Sequence, residues 1–381
     1  MTPKAVPLRD LLVTTKDGDW GNAEPADGSV PYRVVRGTDF AKARLGDISS
    51  VPIRYLSEKT AARRTLMPND ILIETAGGTS KRPTGRTLLV TERLHHLLGG
   101  PATCASFARF LRVDPKLADP AYVFWYLQEL YRKGEMARHE VRHTGVGRFQ
   151  YTDFAASEFV PLPPLTQQRE IAAALCALDE KAANNATVID HIGSLLSARF
   201  RLLLESKTPS YLPFDEVVER LKVTHKHSGK TVSSTGKVVV LDQSEDGVLG
   251  YHDGNAEFIA PATRPLCLFG DHTCSWRLGI GKFDVGPNVI PVTTKLSSDV
   301  SPIWLYFALE GVQQFQSYRR HWMELKVHSI PWLSDSDQSA FLDFATPALE
   351  YRTQLAKESG ALLSLRDALM PNLLTDNVPP E

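Results

Sequence analysis

The segment VPLPPLTQQREIAAALCALDEKAANNATVIDHIGSLLSARF, residues 160–200, joins a proline-rich stretch directly to a long run without proline. Pro163 and Pro164 disfavour a helix before this point, and Thr166 stands where an N-cap is expected. Mostly apolar positions then recur at alternating spacings of four and three, which predicts a long helix packed against a second helix. The positions of this heptad seam are Ile171, Leu175, Leu178, Ala182, Asn185, Ile189, Ile192, Leu196, Arg199 and Leu203.

A second copy of this pattern begins near residue 330. The dipeptide VP at 160–161 corresponds to IP at 330–331, and Gln168 corresponds to Gln338, each 170 residues later. The second copy reads IPWLSDSDQSAFL, so it lacks the double proline and the basic residue after the glutamine. A second long helix is expected here, and Pro371 is expected to end it.

Each predicted helix follows a segment that contains short strand-like runs. They include YRVVRG, DILIETAGG and GRTLLVTE in the first segment and KVVVLD, RPLCLFGD and NVIPVT in the second. Aromatic-rich helical runs that start at Pro120 and Pro302 occupy matching places. We therefore predict an α+β fold with a pseudo-two-fold internal repeat, in which two globular domains are separated by two long helices that form an antiparallel coiled coil. The expected boundaries are 1–160, 161–206, 207–330 and 331–381.

The composition is that of a folded globular protein, with 43% hydrophobic residues, 23% charged residues and a net charge of −1. There is no apolar run long enough to cross a membrane and no secretory signal at the amino terminus, so we expect a cytoplasmic protein without a membrane partner. The four cysteines lack a disulfide framework and are expected to be reduced. Basic residues outnumber acidic ones in 1–160 but not in 331–381, which favours a polyanionic partner for one region only.

These motifs resemble the specificity (S) subunit of type I restriction-modification systems, the HsdS family. PLPPL-x-Q-Q-R-x-I before a long helix carries the resemblance, together with LRDALMPNLLTDNV near the carboxyl end and the turns PNDILIETAGG and CLFGDHTC. The resemblance implies that each globular domain is a target recognition domain for one half of a bipartite double-stranded DNA target, in a phage-defence system. It also implies that the helices bind two methyltransferase (M) subunits. The sequence does not decide whether a motor-nuclease (R) subunit joins them.

Candidate DNA-binding residues lie in basic, hydroxyl-bearing loops, because such side chains contact phosphates and base edges. In the first domain they follow the turn at residues 77–78 or lie in RHEVRHTGVGRFQ, residues 138–150. They are Thr79, Ser80, Lys81, Arg82, Arg86, Arg142, His143 and Arg148. In the second domain they are His227, Lys230, His272, Thr273, Arg277, Lys282, Arg319 and Arg320. The residues expected to bind the methyltransferase are Gln167, Gln168 and Arg169.

Other classes of function have weaker support in the sequence. Cys267, His272 and Cys274 lack the paired spacing of a zinc site, and Asp271 with His272 and Cys274 lacks the spacing of a catalytic set. We therefore expect a non-catalytic chain with no metal and no cofactor. Two alternatives stay open: a specificity subunit of another phage-defence methyltransferase complex, and a coiled-coil scaffold that does not bind DNA.

Overall fold

The computed structural model describes residues 4–79, 82–143, 146–244, 247–315, 317 and 319–374. The chain divides into two compact units, one of residues 1–187 with 357–381 and one of residues 188–356. Each unit therefore contains a part of both long helices. No helix within the described residues is both long enough and apolar enough to cross a membrane.

The first unit contains short strands and helices around a main hydrophobic core and two smaller clusters. Its helices are α1 (Phe40–Arg44), α2 (Glu58–Arg64), α3 (Glu92–Leu97), α4 (Pro120–Arg132) and α5 (Tyr151–Ser157). Its strands are β1 (Lys4–Pro7), β2 (Leu12–Asp17), β3 (Ser29–Val35), β4 (Ile53–Ser57), β5 (Ile71–Glu74), β6 (Ala76–Gly78), β7 (Thr87–Leu89), β8 (Ala102–Cys104), β9 (Ala108–Val113), β10 (Glu140–His143), β11 (Val146–Phe149) and β12 (Phe159–Leu162).

The long helix α6 (Leu165–Glu205) leads into the second unit, and α10 (Asp335–Leu374) leads out of it. The helices between them are α7 (Phe214–Val217), α8 (Pro302–Leu309) and α9 (Trp322–Leu325). The strands are β13 (Ser210–Pro213), β14 (Val218–Arg220), β15 (Val238–Leu241), β16 (Val248–His252), β17 (Phe258–Ala260), β18 (Leu266–Gly270), β19 (Trp276–Gly279), β20 (Gly281–Val285), β21 (Val289–Thr294) and β22 (Ser329–Trp332). The α+β fold class with long helices is thus confirmed.

The two units repeat the same sheet topology. Strand order β2-β9-β5-β7 in the first unit corresponds to β14-β21-β18-β19 in the second. Strands β3 and β8 pair in parallel while β4 pairs antiparallel to β3, and β15, β20 and β16 repeat this arrangement. The units differ in what is added, because the sheet β10-β11-β6 belongs to the first unit and β17 belongs to the second.

The two units are most alike in the strands that immediately precede each long helix. Strand β12 pairs with β1 so that Val6 faces Val160, and β22 pairs with β13 so that Leu212 faces Ile330. The VPL run before the prolines is thus a strand, which the sequence analysis did not predict. An aromatic donor from an earlier helix, α4 or α8, binds the proline carbonyl of each strand: Tyr122 Oη to Pro161 at 2.9 Å, and Trp304 Nε1 to Pro331 at 2.8 Å.

Both helix starts use a glutamine side chain in the same way. Gln168 Nε2 donates to the carbonyl of Pro163 at 2.7 Å, and Gln338 Nε2 donates to the carbonyl of Leu333 at 2.8 Å. Burial of these amides requires such partners, which explains why glutamine occurs in both copies. The expected N-cap at Thr166 is wrong, because α6 already begins at Leu165.

Different interactions stabilise the two ends of α10. At its start Ser334 Oγ accepts the backbone N–H of Asp337 at 3.3 Å. At the other end the helix continues past Pro371 to Leu374, so the expected stop at Pro371 is wrong. Met370 and Leu374 are buried in the core of the first unit, and their burial stabilises the last turn against the lost backbone hydrogen bond.

The predicted heptad seam of α6 follows the buried side of the helix. Its buried members are Ile171, Leu175, Ala182, Asn185 and Leu196, whereas Arg199 is exposed. In the first unit Asn185 Nδ2 donates to Glu358 of α10 at 2.8 Å, and Arg366 of α10 forms an ion pair with Asp179. In the second unit the rings of Phe200 and Phe341 are 5.2 Å apart, and the guanidinium of Arg199 lies 4.2 Å from the ring centre of Phe344.

Candidate nucleic-acid interface

The turn after β6 places two predicted contact residues on the surface of the first unit. The backbone groups of Thr79 and Arg82 bond each other, with N···O distances of 2.7 and 3.1 Å, and both side chains are exposed. Ser80 and Lys81, which were also predicted to contact DNA, lie outside the described residues. Thr79 and Arg82 are therefore available to a partner on this edge.

The β10–β11 hairpin joins this turn through Arg142. Its guanidinium donates to the carbonyl of Thr79 and pairs with Glu140 at 2.6 Å. Burial raises the pKa of Glu140, but hydrogen bonds from the backbone and hydroxyl of Thr84 and from Arg142 outweigh this and lower the pKa below its ordinary value. Arg142 thus braces the turn. Arg148 on β11 is exposed, and the side chain of His143 lies outside what the structure describes.

Arg86 occupies a different environment from the other predicted contacts. Its Nε and Nη2 bind the carboxylate of Glu74 at 2.9 and 2.7 Å, and both side chains are largely buried. The carboxylate raises the pKa of Arg86, although burial alone would lower it. In this conformation the guanidinium is committed to Glu74, so Arg86 is better explained as a structural residue.

A cleft of about 460 Å³ lies beside the same turn, and the sequence analysis missed its aromatic residues. Phe107 is 64% exposed and Trp20 is 38% exposed, and both line the cleft together with Arg82. The guanidinium of Arg54 lies 4.6 Å from the ring centre of Trp20. Exposed aromatic rings next to cations suit contacts with thymine methyl groups and stacked bases.

In the second unit the predicted residues His272 and Thr273 lie in the tight turn between β18 and β19. The turn closes through the backbone N–H of Gly270 bonded to the carbonyl of Ser275 at 2.9 Å. Gln243 accepts the N–H of His272 at 3.0 Å, and the hydroxyl of Thr273 contacts that of Ser275 at 2.8 Å. Thr273 is exposed and His272 is half-buried.

Asp271 connects this turn to the segment that carries the predicted residues Arg319 and Arg320. Its carboxylate accepts the backbone N–H groups of His321 and Trp322 at 3.0 and 2.8 Å. Arg319 pairs with Glu324 at 2.6 Å. Arg320 is 80% exposed, and its guanidinium lies at the longer distance of 4.0 Å from the Asp271 carboxylate. The role of Asp271 is therefore to hold two loops together.

A wide cleft of about 760 Å³ in the second unit gathers more cations than the sequence analysis predicted. Its walls carry exposed basic side chains, of which only Arg320 was predicted; they are Arg220, Lys222, Lys226 and Arg320. Among the described residues that line the cleft, Asp271 is the only acidic one, and it is buried. A polyanion suits a cleft lined by four exposed cations.

Of the remaining predicted residues of this unit, His227 lines the cleft, whereas Lys230, Arg277 and Lys282 do not. Lys230 and Lys282 are exposed, and Lys282 lies on β20. Arg277 on β19 donates to the carbonyl of Ser244. His227 contacts the buried carboxylate of Asp284 at 2.7 Å, so it has a partner inside the protein.

The cysteines considered as ligands or nucleophiles lie in apolar surroundings. Cys267 is fully buried and its thiol donates to the carbonyl of Pro302 at 3.3 Å. Burial raises the pKa of Cys274, and the carboxylates of Glu324 and Asp271 raise it further. Neither thiol is activated as a thiolate, so the arrangement does not favour nucleophilic catalysis.

The start of α6 exposes two of the three residues predicted to bind a partner subunit. Gln167 and Arg169 are exposed, whereas Gln168 is only 1% exposed. The amide oxygen of Gln168 accepts the backbone N–H of Asp119 at 2.9 Å, which ties α6 to the start of α4. The assumption that Gln168 is a surface residue is therefore wrong.

The internally doubled α+β architecture, with two similar units and two long helices, has a counterpart among known structures. The crystal structure of the type I restriction-modification S subunit from M. genitalium matches with a TM-score of 0.58 at 14% identity, covering 99% of this chain and 100% of that chain. A structure titled for complex assembly and conformational transition of the type I R-M system matches at 14% identity, with a TM-score of 0.42 and 98% of both chains covered. The HsdS subunit from Thermoanaerobacter tengcongensis matches at 15% identity with a TM-score of 0.37, covering 98% of this chain and 97% of that chain.

The M. genitalium structure confirms the resemblance predicted from the motifs, at the level of the fold. No protein-family model and no curated protein matches the sequence. The similarity therefore lies in the arrangement of the elements along the whole chain.

Proposed function

We propose that the chain is the non-catalytic DNA sequence-specificity subunit of a type I restriction-modification complex, acting in the cytoplasm in phage defence. The observation that carries the proposal is the full-length match to the fold of the M. genitalium S subunit. Two basic surfaces add independent support, because each unit has exposed cations in a cleft or turn that suits DNA.

The two units recognise different halves of a bipartite target. The shared sheets supply a common framework, while the sheet β10-β11-β6 in one unit and the cation-lined cleft in the other provide different contact surfaces. In the first unit the contacts are Thr79, Arg82 and Arg148, together with Ser80 and Lys81, which lie outside the described residues. In the second unit they are His272, Thr273 and Arg320 together with the cations of the cleft.

The two long helices form an antiparallel coiled coil that sets the spacer between the half-sites and binds methyltransferase subunits. The ion pair of Asp179 with Arg366 and the bond of Asn185 to Glu358 support this pairing in the first unit, and the Phe200–Phe341 contact supports it in the second. A buried asparagine on a helical seam fixes register at some cost in stability.

Exchanging residues 1–160 for the corresponding segment of another S subunit is expected to change one half of the methylated motif and leave the other half unchanged. The spacer is expected to stay the same, because both long helices lie outside the exchanged segment. The measurement is a map of methylated adenines in DNA from cells that express the chain with its methyltransferase. A change in both halves would contradict separate recognition, and a chain that binds no DNA at any salt concentration would favour the scaffold alternative.

Replacing Gln167 and Arg169 together by alanine is expected to reduce co-purification of the methyltransferase at least about tenfold, because both side chains are exposed at the start of α6. The free energy of unfolding should change by no more than about 0.5 kcal/mol. Affinity capture of the complex, with circular dichroism of the free chain, measures both quantities.

Gln168→Ala is the matched comparison, and it is expected to lower the stability of the chain rather than act at the exposed surface. It leaves the N–H of Asp119 and the carbonyl of Pro163 without their partners, which costs about 1–3 kcal/mol of stability. Unchanged co-purification in the Gln167/Arg169 variant would place the methyltransferase interface elsewhere on the chain.

A further inference from the structure

A fully buried carboxylate on β20 is surrounded by three histidines from two separate parts of the second unit. Asp284 is inaccessible to solvent, and its Oδ1 accepts the backbone N–H of Glu257 at 2.6 Å. Its Oδ2 faces Nδ1 of His225 at 3.1 Å, Nε2 of His227 at 2.7 Å and Nε2 of His252 at 3.1 Å. Three imidazoles on one carboxylate oxygen are a set of donors that divalent transition metals bind.

The three histidines do not have the same role, because their second ring nitrogens differ. Nδ1 of His252 accepts the backbone N–H of Gly254 at 3.0 Å, so the proton of this ring lies on Nε2 and is donated to Asp284. His252 therefore orients the Asp284 carboxylate as a hydrogen-bond donor. In contrast, the side chain of His225 is about half exposed. Nδ1 of His227 is buried without a hydrogen-bond partner among the described residues.

We propose that His225, His227 and Asp284 bind one divalent metal ion of the zinc class, with His252 as a hydrogen-bond donor to the Asp284 ligand. The candidate ligand atoms, Nδ1 or Nε2 of each histidine and a carboxylate oxygen of Asp284, all lie within 4.8 Å of one another. A tetrahedral ion with bonds of about 2.0–2.2 Å needs ligand separations of about 3.3–3.5 Å. Nε2 of His227 and Nδ1 of His225, now 2.7 and 3.1 Å from Oδ2 of Asp284, would therefore move away from the carboxylate by less than about 1 Å when an ion binds between them. Two histidines and one carboxylate leave a fourth position, which a water molecule or a ligand oxygen fills.

The surrounding hydrogen bonds hold the two ligand histidines against β20. Glu257 accepts the N–H of Thr224 at 2.5 Å and the N–H of His225 at 2.9 Å, while its own N–H binds Asp284. The segment that carries both histidines is thus fixed at its backbone next to the carboxylate. Such outer contacts orient ligands and are expected around a genuine metal site.

A metal ion at this site would hold one lining segment of the second unit's basic cleft in place. His225 and His227 line that cleft together with Lys222 and Lys226, which lie on the same segment. An ion on the histidines would tie this segment to β20 and add positive charge beside the lysines. The metal is an addition to the sequence analysis, which expected none.

The test uses the full chain without a histidine tag and in the absence of DNA, so that its outcome does not depend on the proposed function. Titration calorimetry with Zn²⁺ is expected to show one ion per chain, and Co²⁺ is expected to give visible absorption bands without a thiolate charge-transfer band. His225→Ala should reduce Zn²⁺ affinity at least about 100-fold, because it removes an exposed ligand without disturbing the core. His252→Gln should reduce the affinity by about 10–100-fold, as the loss of an outer contact does.

His272→Ala is the matched control, since His272 lies in the same unit but in the β18–β19 turn, and it should leave Zn²⁺ affinity unchanged. Absence of saturable binding to the full chain would overturn the proposal and leave the cluster as a hydrogen-bonded group only. Equal affinity of the parent chain and the His225→Ala variant would also overturn it. A thiolate band with Co²⁺ would assign the ion to a cysteine site instead.

Discussion

Arg86→Ala is expected to lower the stability of the first unit by about 3–5 kcal/mol, because it leaves the carboxylate of Glu74 buried without its partner. The two guanidinium bonds to Glu74, at 2.9 and 2.7 Å, connect the ends of β5 and β7. Hydrogen exchange of the Ile71–Glu74 and Thr87–Leu89 strands in the full chain measures the effect locally. This choice avoids assuming that two units unfold in one step.

A double variant separates the ion pair from the shape of the site. Glu74→Leu with Arg86→Met replaces both charges by apolar side chains, and its stability is expected to equal or exceed that of the parent chain. Arg148→Ala, on the same unit but exposed, should leave hydrogen exchange unchanged. If Arg86→Ala kept normal exchange but lost DNA affinity, Arg86 would be a DNA contact after all.

The assignment of Arg86 illustrates what sequence reasoning lacks at a site. A basic residue after a glycine turn suggests DNA contact, and nothing local indicates that Glu74 lies opposite. The register of β5 with β7, in which Ile73 faces Thr87, extends to bring Glu74 beside Arg86. Register depends on how the intervening loop folds, so the ion pair could not be derived from composition or spacing.

The architecture was more accessible because it repeats. The offset of 170 residues that links Gln168 to Gln338 in the sequence also links their equivalent hydrogen bonds in the structure. The helices predicted at Pro120 and Pro302 are α4 and α8, each with a proline in its first turn. Such features can be predicted from the sequence because they depend on interactions between residues that are close along the chain.

The histidine cluster shows the opposite case. His225, His227 and Asp284 come from distant segments, and only the pairing of β15 with β16 and β20 brings His252 and Asp284 together. A signal was nevertheless present in the strand GKFDV, where Asp284 stands between two apolar residues. A charged residue within an apolar strand predicts a buried carboxylate that needs donors.

Removing the positive charges of the second unit's cleft is expected to weaken DNA binding about 10³-fold at 0.1 M salt, for every DNA sequence. The change replaces four cations by glutamine: Arg220, Lys222, Lys226 and Arg320. If each contacts one phosphate, the slope of log affinity against log salt concentration should fall by about three to four units. The large effect follows from counterion release, because each lost contact leaves one condensed counterion on the DNA.

The control removes the same number of charges from exposed positions that do not line the cleft. Its substitutions, each to glutamine, are at Arg201, Lys237, Arg264 and Lys357. Fluorescence anisotropy with a duplex, measured from low to high salt, should show nearly the parent slope for this variant, because net charge alone acts only weakly through screened solvent. Equal losses in both variants would mean that the cleft has no special role and that DNA binds the chain only through its overall charge.

An unchanged slope in the cleft variant would instead place the DNA contacts of this unit at the β18–β19 turn, where Thr273 is exposed. Single substitutions in that turn would then be expected to relax recognition of one base of the half-site, at a cost of about 1–3 kcal/mol of binding free energy.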